Sequence, residues 1–301
     1  MKILFCSDGS SQAEKAVRFG APFAAACGAE TSILGIAEKP GHEDPLLEAL
    51  RRAREILREH SLNAELITKA GRPVHEIVKR TRESTYDLVV IGAERKGTHG
   101  PVWMSALAYE IIESVEPPVL VVIGDRPSLR RILFCTGGEM RSDTAVEFAG
   151  EIARCGDAVV DLFHVMAEPP AMFADLIELE EDADRVLTSN SLLGLTLRHQ
   201  KELLEKQGVF GEFRLRHGLV VPELLKELRR TEYDLVVCGS SPAEGILHAY
   251  VMGDVTREIV NRAGLPVLVM RPGPRQIMRH FRDLVAHLFR RRKETSEATG
   301  D

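Results

Sequence analysis

The sequence predicts an α/β protein made of two copies of one open, doubly wound parallel sheet, followed by a basic amphipathic helix. Three observations carry this prediction: apolar strand-like blocks that recur in the same order, helical periodicity between them, and a change of charge near residue 274. Ile3-Leu4-Phe5-Cys6 returns as Ile132-Leu133-Phe134-Cys135, an offset of 129 (132 − 3), and Ala16-Val17-x-Phe19 returns at Ala145-Val146-x-Phe148 with the same offset. Tyr86-Asp87-Leu88-Val89-Val90 returns as Tyr233-Asp234-Leu235-Val236-Val237 at 147 (233 − 86), and Pro118-Val119-Leu120-Val121 as Pro266-Val267-Leu268-Val269 at 148 (266 − 118). The offset grows by 18 (147 − 129), which places an acidic insertion around residues 168–190, between the second and third strands of the second copy.

In the first copy, residues 3–7, 31–37, 65–69, 88–92 and 119–123 are short β-branched or apolar runs. The segments between them carry helical spacing, as at Leu46, Leu47, Leu50, Ala53 and Leu57. Five strands and four helices per copy follow. Strands that are apolar throughout need cover on both faces, and crossover helices supply it, so each sheet is expected to be parallel. The expected domains are 1–124 and 131–272, joined by a linker that includes Gly124-Asp125-Arg126-Pro127-Ser128. Ligands of such sheets sit beyond the carboxyl ends of the strands, where strand order reverses. The residues after the first and fourth strands are therefore the ones to inspect.

Composition narrows the function. With 301 residues, 44% of them hydrophobic, the chain can bury two cores. A net charge of -6 disfavours nucleic acid as a partner. Cys6, Cys27, Cys135, Cys155 and Cys238 are scattered and odd in number, and are expected to be free buried thiols in a reducing compartment. The amino-terminal apolar run is too short for a signal-peptide core and no run is long enough to span a membrane, so a cytoplasmic location is expected.

The first strand ends in Asp8-Gly9-Ser10, the fourth reads Asp-Leu-Val-Val-x-Gly at 87–92 and 234–239, and the last opens Pro-Val-Leu-Val in both copies. In these motifs the chain resembles the universal stress protein family, over about residues 2–123 and 131–271. The resemblance implies a five-stranded sheet of order 3-2-1-4-5 and pairing through the last strand. Here that means an intramolecular pseudo-dimer, with a homodimer of whole chains as a further option. Many members bind ATP and most have no established catalytic activity. The function so implied is a non-catalytic stress-response or regulatory module that acts through a protein partner. The alternative is a nucleotide-dependent enzyme or ATPase using the first-domain cleft.

The ATP-binding members resemble a pattern of glycine, two residues, glycine, nine residues, then Gly-Ser or Gly-Thr. Its glycines admit phosphate to the backbone, and helix-terminal amides and a hydroxyl donate to it. Counted from Gly92, the second glycine falls on Arg95 and the final pair on Ser105-Ala106. The second copy keeps Gly239 and Gly253, but has Asp254 in place of the hydroxyl and Gly137 in place of Asp8. A carboxylate there repels a triphosphate. Any adenine nucleotide is thus expected in the first copy, and weakly. The candidate set is Asp8, Gly9, Ser10, Ile36, Gly92, Arg95, Lys96, Gly97, His99 and Ser105, with Trp103 close by as a reporter.

Other features read as structural. The acidic residues of the insertion lack Ca-loop spacing and form a solvated face. The ten histidines make no ligand motif, and Cys6 and Cys135 lack a histidine in nearby sequence, so neither a metal nor a nucleophilic cysteine is expected. Residues 274–293 carry seven cations against the single Asp283, with Ile277, Phe281, Leu284, Val285 and Leu288 at helical spacing. This helix is expected to pack on the acidic body of the protein, ahead of holding a partner or touching an anionic membrane surface. A disordered tail, 294–301, is expected after it.

Overall fold

The first strand of each copy is apolar at every interior position, so it is stable only where both faces are covered. In a computed structural model of the chain, residues 1–38, 43–94, 105–139, 142–167, 183–239 and 253–271 are described. Met1–Arg271 form one compact unit, and the expected helix at 274–293 and the tail lie outside the described residues. The first copy runs β1 (Lys2–Ser7), α1 (Ser11–Ala26), β2 (Glu30–Ala37), α2 (Glu43–Glu59), β3 (Glu65–Ala70), α3 (Pro73–Glu83), β4 (Leu88–Gly92), α4 (Ala106–Ser114) and β5 (Val119–Val122). Alternation along β1 sends Ile3 and Phe5 into one core, with Val17 and Phe23 of α1 and Leu50 of α2. Leu4 enters the other, with Ile77 of α3 and Ile111 of α4. Gly35 exists for this packing, because a Cβ there would lie 2.6 Å from Leu50 Cδ1.

The second copy repeats the plan with β6 (Arg131–Cys135), α5 (Asp143–Gly156), β7 (Val159–Met166), α6 (Ala183–Thr188), α7 (Leu192–Lys206), β8 (Phe210–His217), α8 (Val220–Arg230), β9 (Leu235–Gly239), α9 (Asp254–Arg262) and β10 (Val267–Met270). The extra helix α6 falls within the expected insertion. All ten strands form one sheet of order β3-β2-β1-β4-β5-β10-β9-β6-β7-β8, so each half has the order 3-2-1-4-5. Pairing is parallel within each copy. The halves join where β5 and β10 run antiparallel, with Leu120 opposite Leu268. Each apolar edge strand thereby covers the other, as the resemblance implied.

Both faces of the joint are reinforced. On one, the Tyr109 hydroxyl of α4 donates to Asn261 of α9, and Arg257 reaches Glu113 at 3.2 Å while its guanidinium lies over the Tyr109 ring. Arg271 is buried and donates to the carbonyls of Glu113 and Val115 at 3.2 and 2.8 Å. On the other face α1 meets α5, and Cys27 and Cys155 form a disulfide with Cα atoms 5.2 Å apart. This corrects the expectation of five free thiols. The two cysteines close the carboxyl ends of helices that only the pairing of the copies brings together. Cys6, Cys135 and Cys238 remain free.

The recurring Tyr-Asp pair works at the amino end of each sheet. Asp87 accepts the Lys2 backbone N–H at 2.7 Å, and Asp234 accepts those of Arg130 and Arg131 at 2.8 and 3.1 Å. In the first copy Arg80 of α3 donates to Tyr86 at 2.8 Å and to Glu65 of β3 at 2.9 Å. The second copy has a larger, drier network. Asp161 and Glu227 are both 0% exposed. Asp161 pairs with Arg131 and Arg214 at 2.9 and 3.1 Å and accepts from Tyr233 at 2.8 Å. Glu227 of α8 pairs with Arg216 and Arg214 of β8 at 2.6 and 3.3 Å. Buried carboxylates persist only with partners of this kind.

Candidate functional site

In the first copy the carboxyl end of β1 turns sharply into α1. The Ser7 hydroxyl accepts the Gly9 N–H at 3.2 Å, and the Asp8 carboxylate accepts the Ser10 N–H at 2.9 Å. Ser10 then caps the helix by accepting from Ala13 at 3.2 Å. Gly9 sits at φ +82°, a backbone conformation suited to glycine. Its open side faces Ala49 and Leu46 of α2, 3.4 and 3.8 Å from where a Cβ would lie. Asp8 itself is exposed at the mouth.

The remaining predicted residues divide. Gly92 ends β4, and a Cβ there would lie 2.4 Å from the Gln12 carbonyl oxygen, so the glycine admits the first turn of α1. Ile36 is buried in the core shared with Leu34 and Ile77. Ser105 caps α4, its hydroxyl accepting from Ala108 at 3.3 Å. Arg95, Lys96, Gly97, His99 and Trp103 lie outside the described residues. The structure therefore groups Asp8, Gly9, Ser10 and Gly92 around the start of α1. It adds Gln12, which sequence reasoning passed over: its buried side chain donates to the carbonyls of Val122 and Gly124 at 3.0 and 3.3 Å and ties α1 to the end of β5. A glutamine among the apolar positions of α1 was the available signal.

At the matching place in the second copy the cleft is filled. Gly138 takes the position of Gly9, at φ +75°, but a Cβ there would lie 2.3 Å from Leu193 Cδ1 of α7. Gln200 of α7 accepts from the Thr136 hydroxyl at 2.8 Å and donates to the Glu139 carbonyl at 3.3 Å. His164 completes the seal, its Nδ1 lying 2.8 Å from the Thr136 carbonyl. Burial lowers the His164 pKa, an effect that the Thr136 carbonyl opposes and the nearby His217 reinforces. Gly253 caps α9 and Asp254 is its exposed first residue, with Thr256 donating to the Gly239 carbonyl at 2.8 Å. A carboxylate suits a helix amino terminus, which gives Asp254 a structural role.

The cysteines of the strands are chemically quiet. Burial pushes the Cys6 and Cys238 thiols up to about 12 and raises Cys135 as well, with Cys238 adding to the Cys135 effect. Among the described residues no three His, Cys, Asp or Glu side chains group as a metal site, and no helix is long and apolar enough to cross a membrane.

Two open α/β units paired edge to edge in one sheet define a tandem protein of one repeated domain. A profile of the universal stress protein family matches residues 1–122 and again 128–271, and the chain belongs to that family. Among solved structures, a universal stress protein from Archaeoglobus fulgidus DSM 4304 aligns over 90% of this chain and 98% of its own, with 16% identity and a TM-score of 0.65. A protein from Pseudomonas aeruginosa PAO1 aligns over 95% and 97%, with 16% identity and a TM-score of 0.65. A universal stress protein solved in complex with cAMP aligns over 48% of this chain and 99% of its own, with 20% identity and a TM-score of 0.35. No curated protein sequence matches the chain.

Proposed function

We propose that this chain is a non-catalytic stress-response module that acts through a protein partner and holds an adenine nucleotide weakly in its first copy alone. The observation that carries this reading is the contrast between the two clefts. In the first, Asp8 stands exposed over a glycine turn, where its carboxylate can accept from a ribose hydroxyl or a base amine. In the second, Gly137 has no side chain to offer and Leu193 and Gln200 occupy the space. Low affinity follows from the commitment of Ser105 to its own helix and of Gly92 to the α1 backbone, which leaves neither to close on phosphate.

Calorimetric titration with ATP tests the proposal. Weak binding at one site is expected, abolished by Asp8→Ala and unaffected by Gly253→Ala, with no phosphate released on incubation. Absence of heat up to millimolar ATP would mean that both clefts are vestigial. Loss of binding with Gly253→Ala and not with Asp8→Ala would transfer the site to the second copy.

A further inference from the structure

We infer that Cys27 and Cys155 are a hydroperoxide-responsive dithiol, a modification site whose disulfide reversibly staples the two copies across the α1–α5 joint. Position in the fold distinguishes the pair. Cys27 and Cys155 lie at the ends of α1 and α5, half-exposed as Cys6 and Cys135 also are, whereas Cys6, Cys135 and the buried Cys238 belong to strands of the sheet. Their thiols are held protonated by burial, so oxidant reaching the protein meets only one reactive pair. The pair is also preorganised. The β5–β10 pairing and the meeting of α1 with α5 hold the two Cα atoms 5.2 Å apart, although 128 residues separate them in sequence.

The chemistry balances without any group from the protein beyond the two thiols. One thiolate attacks the peroxide oxygen, forming a sulfenic acid and releasing an alcohol, or water from hydrogen peroxide. The second thiol then attacks that sulfur, forming the disulfide and releasing water. A reduced dithiol reverses the change by exchange, becoming a disulfide itself.

The staple borders something that can respond. Beside it lies a cleft of about 460 Å³ lined by Phe19, Pro22, Phe23, Gly156 and the linker residues Pro127 and Leu129. Phe23 is one helical turn before Cys27, and Gly156 follows Cys155 directly. Reduction therefore releases the two walls of this cleft, whose lining also includes Ser128, Arg130 and Asp157, from each other, on the face opposite the Tyr109–Asn261 contact.

The full-length chain supplies the test. Thiols are counted after denaturation, following treatment with hydrogen peroxide or with reduced thioredoxin, and hydrogen exchange is followed over the linker and α1. Five thiols are expected after reduction and three after oxidation, with linker exchange faster in the reduced protein. Cys27→Ser and Cys155→Ser are each expected to hold exchange at the reduced rate under peroxide, and Cys6→Ser to respond as wild type. A count that stays at three under thioredoxin makes the bond permanent and overturns the proposal. So does a count that stays at five under peroxide, or a peroxide product that is a disulfide between two chains. Because the wild-type counts stand alone, a variant that misfolds leaves the test intact.

Discussion

Gly92 and Gly239 occupy the same place in the repeat and do different things. A methyl group at Gly92 meets the Gln12 backbone at 2.4 Å, whereas one at Gly239 meets nothing within 4 Å among the described residues. Gly92→Ala is therefore expected to cost about 2–4 kcal/mol in urea denaturation, because backbone cannot be pushed aside cheaply. Gly239→Ala should stay within about 0.5 kcal/mol. His164 gives a pH signature. Burial depresses its folded pKa below 6.5, so beneath that pH the unfolded chain takes up a proton that the folded chain resists. Stability should be full above pH 6.5 and fall below it, at up to about 1.4 kcal/mol per pH unit, and His164→Gln should flatten the slope. The Asp8-Gly9-Ser10 turn was legible in sequence because its hydrogen bonds are local. The duty of Gly92 was not, because the atom it makes room for belongs to α1. The Cys27–Cys155 bond was hidden for the same reason: nothing in the chain between them announces a contact that depends on how two halves pair.

At the scale of elements, the strands were readable to within a residue or so. The run 88–92 is β4 as read, and β3 extends only to Ala70 beyond the reading. Apolar blocks between helices leave little choice. The helix α7 was not readable as a plug, since its Leu193 and Gln200 look like ordinary positions until Gly138 and Thr136 are brought beneath them. Gln200→Ala should cost about 1–3 kcal/mol in denaturant, the penalty for stranding the buried Thr136 hydroxyl. The β5–β10 seam offers a sharper test. Leu120→Arg places a cation opposite Leu268 at the centre of the joint. It should destabilise the protein by about 3 kcal/mol or more and raise hydrogen exchange in both strands together.

The two copies share one ten-stranded sheet, so they are expected to unfold together. Differential scanning calorimetry should give a single transition whose calorimetric and van't Hoff enthalpies agree; two separable peaks would show that the seam is weaker than either core. A chain whose halves share a fold faces another hazard, that a helix of one half docks on the sheet of the other while both are still forming. The amino-end charges penalise that exchange. The helix after the third strand presents a cation in the first copy, Arg80 against Glu65, and an anion in the second, Glu227 against Arg214 and Arg216. Docked the wrong way round, Arg80 would face two arginines in the drier second-copy site, and Glu227 would face the solvent-exposed Glu65 carboxylate. The polarity of two ion pairs thus acts as an address, telling each helix which of two nearly identical sheets is its own.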